Sequence, residues 1–374
     1  MKKIYSIGLH KTGSSSLQNF LLQNQLALLK SGVLFPPVTP EGTSRLLAEA
    51  VGQRDLHRPA RLNEYMAHNA LAYRLISEHD PNFVFPDAHN PMPPSEIALA
   101  MVHDLTEQLD VDALVFCSED LARASFHSPD SPKIFSNRFG TEDTTILCTI
   151  RRPDEAISSW QCQRLNFPNP FPRLQDAGLE GYLESVHLNY DKALQPWVSR
   201  FGGDRLALSS YQETQMAGGA VEHFWKGSGL SRPDGLFDPE DQNKSVPYAV
   251  FEIARLAKET CKTAPWQVLG YLQTVKDRLL LPDNQDVDLI GNENRKLIAR
   301  QFRQIHTRLS DMARTTLFSD DLNQIISQHR QDSLAVARNI LPQLQEDALE
   351  NCENKAAREW VLSLTAQDFS QNER

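Results

Sequence analysis

The feature that most constrains the fold is a short apolar run, a turn rich in glycine and serine, and an amphipathic stretch, all within the first 30 residues. Ile4 to Gly8 (IYSIG) has the composition of a short buried strand, and residues 14–30 place leucine and phenylalanine at helical spacing. The chain between them is GLHKTGSSSL. A strand that turns through glycine into a helix presents unpaired backbone N–H groups and the positive end of the helix. The segment therefore predicts a local anion site.

The side chains of this turn narrow the choice of anion. Lys11 adds a full positive charge, and Ser14, Ser15 and Ser16 add hydroxyl donors. In a simpler interpretation one serine caps the helix, but this gives no reason for Lys11 or Gly13. A nucleoside triphosphatase P-loop has the pattern GxxxxGK[ST], with the lysine after the second glycine. Here Lys11 precedes Gly13, so that match fails.

Three later segments also have the pattern of buried strands. They are DALVFCSED (112–120), TTILCTI (144–150) and DRLALSSY (204–211), and helical stretches separate them. Strands that alternate with helices predict an α/β fold with a mainly parallel sheet. Ligands of such sheets bind at the carboxyl ends of the strands, so Lys11, Glu119 and Arg151 are expected to share one crevice.

A second candidate anion anchor follows the strand at 144–150, in the sequence IRRPDEAISSW. Arg151 offers a fork of donors to a phosphate, and a helix begun by Pro153 would carry Ser159 about two turns along. Arg152 and Ser158 compete for the same two roles. The alternative is a basic strand end followed by a proline that starts a helix.

Together these segments resemble sulfotransferases that use 3′-phosphoadenosine 5′-phosphosulfate (PAPS), particularly the bacterial and carbohydrate-acting branch. GLHKTGSSSL is similar to the 5′-phosphosulfate loop of that family, and Arg151 with Ser159 is similar to its 3′-phosphate motif. The likeness covers about residues 1–250 and includes GDRLALSSYQE, HFWKGSGL and the Asn-x-Ser element of NKSVP (243–247). It implies a P-loop-like three-layer α/β sandwich with a mainly parallel central sheet and a helical C-terminal extension.

The resemblance also implies which residues bind the donor PAPS and its product, adenosine 3′,5′-bisphosphate (PAP). These are His10, Lys11, Thr12, Gly13, Ser14, Ser15, Ser16, Arg151, Ser159 and Tyr211. Lys11 is the candidate that stabilises charge on the leaving oxygen, because sulfuryl transfer, like phosphoryl transfer, depends on positioning and charge stabilisation. No metal is required in this scheme, and the histidines and cysteines lack metal-ligand spacing.

An acceptor hydroxyl must also lose its proton, and two residues are candidates for the general base. Glu119 ends a predicted strand, although Glu119 and Asp120 could equally form an acidic pair that caps a helix. His68 lies on the predicted helix of EYMAHNALAYRL, where a histidine is more often a packing or surface residue. Both candidates are kept.

The predicted function is transfer of a sulfuryl group from PAPS to a hydroxyl on a carbohydrate or glycolipid. Two other classes stay open: a P-loop-type kinase or nucleotide phosphotransferase, and a non-catalytic glycan-binding protein with the same fold. The net charge of -10 argues against a general binder of nucleic acid or anionic membranes.

Composition and length indicate where and how the chain works. Five cysteines without CxxC spacing indicate reduced thiols and favour the cytoplasm, and we expect neither a signal peptide nor an integral membrane segment. Residues 1–238 are predicted to form the α/β core, with 41–94 as a variable, acceptor-facing segment. Residues 239–374 are predicted to be a helical region that covers the acceptor cleft, forms a homodimer or approaches a membrane.

Overall fold

The chain contains a parallel five-stranded sheet. The computed structural model describes residues 1–53, 60–239, 246–314, 317–318 and 322–370. Within them the strands are, in chain order, β1 (Lys2–Ser6), β2 (Val33–Leu34), β3 (Ala113–Cys117), β4 (Thr144–Ile150), β5 (Leu206–Ser210), β6 (Val287–Asp288) and β7 (Gln331–Asp332). Strands β1 to β5 have the order β2-β3-β1-β4-β5, and every neighbouring pair is parallel. The predicted α/β class, and the four predicted strands, are confirmed.

Helices connect the strands and continue to the C-terminal part of the described chain. In chain order they are α1 (Ser14–Gln23), α2 (Gln25–Lys30), α3 (Pro40–Ala50), α4 (Leu62–Tyr65), α5 (Ala67–His79), α6 (Ser95–Gln108), α7 (Asp120–His127), α8 (Ser131–Phe139), α9 (Pro153–Gln163), α10 (Glu180–Leu183), α11 (Tyr190–Phe201), α12 (Tyr211–Met216), α13 (Ala220–Ser228), α14 (Phe251–Thr260), α15 (Pro265–Thr274), α16 (Asn292–Ala313), α17 (Gln324–Ser327), α18 (Ser333–Asn351) and α19 (Lys355–Ser363). Of the helices in the described ranges, none is both long and apolar enough to cross a membrane.

The chain divides into two compact units, each built from separate segments. The first unit comprises Met1–Arg152, Ser185–Asp241 and Phe302–Ser319, and the second comprises Pro153–Glu184, Gln242–Gln301 and Asp320–Arg374. The predicted boundary after residue 238 lies near one of these divisions. Two segments are grouped differently from that prediction, because aromatic packing ties them to residues far along the chain. Phe171 packs against Phe251 in the second unit, and Phe302 packs against Tyr190 in the first.

Both faces of the five-stranded sheet are buried, which explains why its strands are almost continuously apolar. Ile4 of β1 lies in an apolar cluster on one face with Val115 of β3 and Leu147 of β4. On the other face Tyr5 stacks on Phe116, with ring centroids 5.9 Å apart. Further aromatic side chains extend these two layers: Phe20, Phe224 and Trp225 on the Ile4 face, and Phe135, Trp197 and Phe201 on the Tyr5 face.

The helix predicted over residues 14–30 is interrupted, so that prediction is wrong in its extent. Helix α1 ends at Gln23 and α2 begins at Gln25. The cause is the side chain of Asn24, which forms hydrogen bonds with both backbone groups of Phe237. Asn24 Nδ2 donates to the Phe237 carbonyl at 2.8 Å, and the Phe237 amide donates to Asn24 Oδ1 at 2.7 Å. A distant segment thus decides where this helix breaks.

The second unit contains a short strand pair that the sequence did not predict. Strand β7 pairs in parallel with β6, although residues 322–366 have a helical pattern. A buried ion network accompanies this pair. Arg295 donates to Asp288 Oδ1 and to Asp154 Oδ2, each at 2.9 Å, and Asp154 is 1% exposed. Arginine and aspartate that are buried in this way stabilise a fold only as a complete set, because a lone buried charge is costly.

We expect Asn24→Ala to lower the free energy of unfolding by about 1–3 kcal/mol, because it leaves the two backbone groups of Phe237 without their partner. Urea denaturation measures the change. Asn137→Ala, at an exposed position on α8, is the matched control and should cost less than about 0.5 kcal/mol. Equal stability of the two variants would contradict this explanation of the helix break.

Candidate active site

The sheet holds in place the turn between β1 and α1, residues 7–13, which is called the Lys11 turn below. The Leu9 amide donates to the Thr149 carbonyl at 3.2 Å, and Thr12 Oγ1 donates back to the Leu9 carbonyl at 2.6 Å. Lys11 then adopts a φ of +67°, and Gly13 a φ of +91°. A left-handed conformation at a residue other than glycine costs on the order of 1–3 kcal/mol and is typical of functional sites. The strained residue is the lysine predicted to contact the anion.

Helix α1 begins without a side-chain cap. Gly13 occupies the capping position, and the helix has no side-chain capping hydrogen bond there. The interpretation of these serines as self-caps is therefore wrong. Instead, Ser14 lies beside Glu119 and Ser15 beside Tyr65. A side chain at position 13 would be strained, because Gly13 has a φ of +91° and an added Cβ would lie only 3.1 Å from the Cβ of Ala220.

Glu119 lies beside this turn and does not cap a helix. It directly precedes α7, but its side chain forms no capping hydrogen bond. Glu119 Oε2 accepts from Gln18 Nε2 of α1 at 3.0 Å. The Glu119-Asp120 pair has two interpretations, a helix cap and a candidate base. The structure favours the second, because the Glu119 carboxyl group lies beside His10 of the Lys11 turn. The side chain is 11% exposed, so the carboxyl group is largely removed from water.

Glu119 belongs to a buried polar cluster that also includes residues of α5 and α7. Asp120 Oδ2 accepts from Asn69 Nδ2 at 2.8 Å, and the Asn69 amide oxygen accepts from Gln18 Nε2 at 3.0 Å. His10 lies between the two acids, with Nδ1 3.9 Å from Glu119 Oε1 and Nε2 3.6 Å from Asp120 Oδ1. Sequence reasoning did not assign Gln18, Asn69 and Asp120 to the site. Their side chains belong to no motif, and only the fold brings their helices together.

Burial and charge set the protonation of this cluster. Burial and the neighbouring charge of Asp120 raise the pKa of Glu119 to about 7, against an ordinary value near 4.5. Burial, helped by the charges of Arg123 and Lys11, lowers the pKa of His10 to about 3. His10 is therefore neutral near pH 7, whereas Glu119 exchanges its proton there. A carboxyl group with a pKa near the working pH is suited to general base catalysis.

His68 is a packing residue in this structure. Its Nδ1 accepts from the Cys117 amide at 3.1 Å, and its Nε2 lies 2.9 Å from the Pro36 carbonyl, to which it donates in the matching tautomer. The side chain is 3% exposed, and burial lowers its pKa to about 4. Both ring nitrogens are occupied by backbone groups, so neither is available to an acceptor hydroxyl. Of the two candidate bases, the geometry favours Glu119.

Arg151 and Tyr211 come together at the next two strand ends. The Arg151 guanidinium lies over the Tyr211 ring, with Cζ 4.7 Å from the centroid, and the Arg151 carbonyl accepts from Tyr190 at 3.0 Å. The competing residue Arg152 is buried. Ser159 lies in α9 of the second unit, whereas Arg151 belongs to the first, so their predicted pairing stays a prediction. In NKSVP, Asn243, Lys244 and Ser245 lie outside the described residues.

The strand order places these groups along one edge of the sheet. Strands β3, β1 and β4 are neighbours, so Glu119, the Lys11 turn and Arg151 follow them at the carboxyl edge in that order. The connection after β1 leads toward β2 and the connection after β4 leads the other way, toward β5. Ligands of open α/β sheets bind where connections diverge in this manner. The Lys11 turn and Arg151 lie on either side of that point.

Comparison with known proteins adds no assignment. No protein-family model, curated protein or solved structure matches the chain. Among the described residues, no group of three or more histidine, cysteine, aspartate or glutamate side chains is arranged to hold a metal ion. The site is therefore defined by the geometry of the loop, the two carboxyl groups and the arginine.

The raised pKa of Glu119 predicts a specific dependence of stability on pH. Because the folded-state pKa lies above the ordinary value, the contribution of Glu119 is fully present below about pH 4.5 and is lost as the pH rises through about 7. We expect Glu119→Gln to gain on the order of 1–3 kcal/mol relative to the wild type between pH 5 and 8. Urea denaturation across this range measures the difference. A difference that stays constant with pH would contradict the assignment.

Proposed function

We propose that the chain is a PAPS-dependent sulfotransferase with a P-loop-like α/β core, acting on a hydroxyl of a carbohydrate or glycolipid. The observation that carries the proposal is the order of groups along the sheet edge. The Lys11 turn lies in the centre, the candidate base Glu119 lies on the β3 side, and Arg151 lies on the β4 side. A donor with two separated anionic groups, next to a proton acceptor, matches this order.

The donor set of the turn supports the phosphosulfate end of PAPS. Helix α1 begins at Ser14 with no side-chain cap, so its first backbone N–H groups are directed toward the turn. Lys11 adds a full charge in the same turn, and the serine hydroxyls supply further donors. Lys11 would neutralise the bridging oxygen as it becomes part of the bisphosphate leaving group.

Arg151 supports the second anionic group of the donor. Its guanidinium is held against Tyr211, which limits the orientations that the fork of donors can adopt. A single phosphate in the Lys11 turn would not need an arginine beyond the next strand. We infer that Arg151 contacts the 3′-phosphate, with Tyr211 orienting it; Ser159 is the further candidate contact that the resemblance implies.

The acceptor reacts on the side of Glu119. The acceptor oxygen forms the new bond to sulfur while the bond from sulfur to the bridging oxygen breaks, and Glu119 takes the hydroxyl proton. The electron pair of the broken bond stays with the bisphosphate, beside Lys11. The protein residues thus supply a base, a charge stabiliser and two anchors, and we expect the reaction to proceed without added metal in the cytoplasm.

Calorimetric titration with adenosine 3′,5′-bisphosphate tests the donor site. We expect binding without Mg²⁺, weakened about 10- to 100-fold by Lys11→Ala and by Arg151→Ala, since each removes charge-assisted hydrogen bonds of about 1.5–3 kcal/mol. Arg205→Ala, before β5 and away from its carboxyl end, is the matched control and should bind as the wild type does. Metal-dependent ATP binding with no response to the bisphosphate would instead indicate a kinase or nucleotide phosphotransferase.

Transfer of labelled sulfate from PAPS to a mixed glycan and lipid extract tests the chemistry. At saturating donor we expect Glu119→Gln to lose about 10²- to 10⁴-fold in turnover, and His68→Gln, once shown to be folded, to keep most of it. Wild-type turnover should rise as the pH increases through about 7, because Glu119 must be ionised to accept a proton. Bisphosphate binding with no transfer to any extract would favour a non-catalytic glycan-binding protein.

A further inference from the structure

Two buried amide side chains link helix α1, which follows the Lys11 turn, to both carboxyl groups of the site, Glu119 and Asp120. Gln18, on α1, is 3% exposed, and Asn69, on α5, is fully buried. Gln18 Nε2 donates to Glu119 Oε2 and to Asn69 Oδ1, each at 3.0 Å. Asn69 Nδ2 in turn donates to Asp120 Oδ2 at 2.8 Å. Buried amides with such short hydrogen bonds hold their partners in one orientation.

The two acids receive unequal support. Asp120 is contacted by Asn69, whose Nδ2 donates to Oδ2, and by the guanidinium of Arg123, whose Nη1 lies 3.6 Å from Oδ1. Glu119 accepts from Gln18 Nε2, and the basic side chain beside it is His10, whose Nδ1 lies 3.9 Å from Oε1 and which is neutral near pH 7 because burial lowers its pKa. Burial raises the pKa of Asp120, and the Arg123 guanidinium and the Asn69 donor oppose that rise, so of the two acids Asp120 has the stronger support for its ionised form.

An ionised Asp120 next to Glu119 makes Glu119 the group that holds the exchangeable proton. The backbone enforces this proximity because the two residues are adjacent, and Asn69 and Gln18 fix which oxygen of each acid is occupied. Asp120 Oδ1 is buried and accepts no hydrogen bond from the described residues.

We propose that Gln18, Asn69 and Asp120 are positioning residues that hold the Glu119 carboxyl group in the orientation in which it accepts the acceptor's proton. This inference rests on the proposed function above, in which Glu119 is the base. Asp120 is also a buried carboxylate of the site, but in this proposal it positions Glu119 and does not take the acceptor's proton itself. The titratable groups near Glu119 on the elements around it are His10, Tyr65, Tyr73, Cys117 and Asp120, and the charged Arg123 lies beside Asp120.

The test is a carbon-13 NMR titration of carboxyl-labelled glutamate in the full chain, with Glu119→Gln used to identify the Glu119 resonance. We expect a midpoint near pH 7 in the wild type. Asp120→Asn should move the midpoint down by about 1 unit or more, because the neighbouring negative charge is lost. Gln18→Leu should move it up, because it removes a hydrogen-bond donor that favours the ionised form of Glu119.

A matched control separates positioning from general damage to the core. Gln161, in the second unit, is a fully buried glutamine that donates to the Pro172 carbonyl at 2.8 Å and accepts from the Tyr182 hydroxyl at 2.7 Å. Gln161→Leu should leave the Glu119 midpoint unchanged. Opposite shifts for Asp120→Asn and Gln18→Leu support the proposal, whereas equal midpoints, or shifts in one direction for all variants, overturn it.

The kinetic measurement distinguishes failure of this inference from failure of the proposed function. The acidic limb of turnover against pH should move with the NMR midpoint in each variant. If sulfate transfer occurs but the limb does not follow the midpoint, the positioning role is wrong while the proposed function stands. If the midpoints separate as expected but bisphosphate binding and transfer are absent, the proposed function is wrong and the carboxyl pair is an electrostatic feature only.

Discussion

The hydrogen bonding of β1 between β3 and β4 is the constraint on which the rest of the first unit depends. Ile4 and Tyr5 are buried on opposite faces of the sheet, so a shift of β1 by one residue would exchange an aliphatic and an aromatic layer. The register is therefore strongly determined. Because all the pairings are parallel, this register also fixes the position of the turn after β1 relative to Glu119 and Arg151.

The left-handed conformation of Lys11 is a consequence of this rigid support. A backbone that costs on the order of 1–3 kcal/mol persists only when its surroundings impose it. Here the hydrogen bond from the Leu9 amide to the Thr149 carbonyl anchors one side of the turn, and on the other side Ala220 of α13 leaves little room for a side chain at Gly13. The lysine is thus positioned before any ligand binds, which reduces the ordering that binding would otherwise require.

Environment, and not residue type, separates the two candidate bases. Histidine is the usual choice for proton transfer near neutral pH. Burial, however, keeps His68 neutral, and two backbone groups occupy its ring nitrogens. A glutamate is normally too weak a base for this task. Partial burial next to Asp120 raises the pKa of Glu119 to about 7 and brings it into the useful range.

The sequence by itself determined the strands, the α/β class and the turn after β1, because these depend on local composition: continuous apolar runs and glycine at a turn. It also placed Arg151 and Glu119 shortly after strands whose carboxyl ends meet at one edge of the sheet, and their roles there stay predictions. Only the tertiary structure decided the break at Asn24, the packing role of His68 and the Gln18-Asn69 bridge. Each of these depends on partners tens to hundreds of residues away, whose proximity no local pattern encodes.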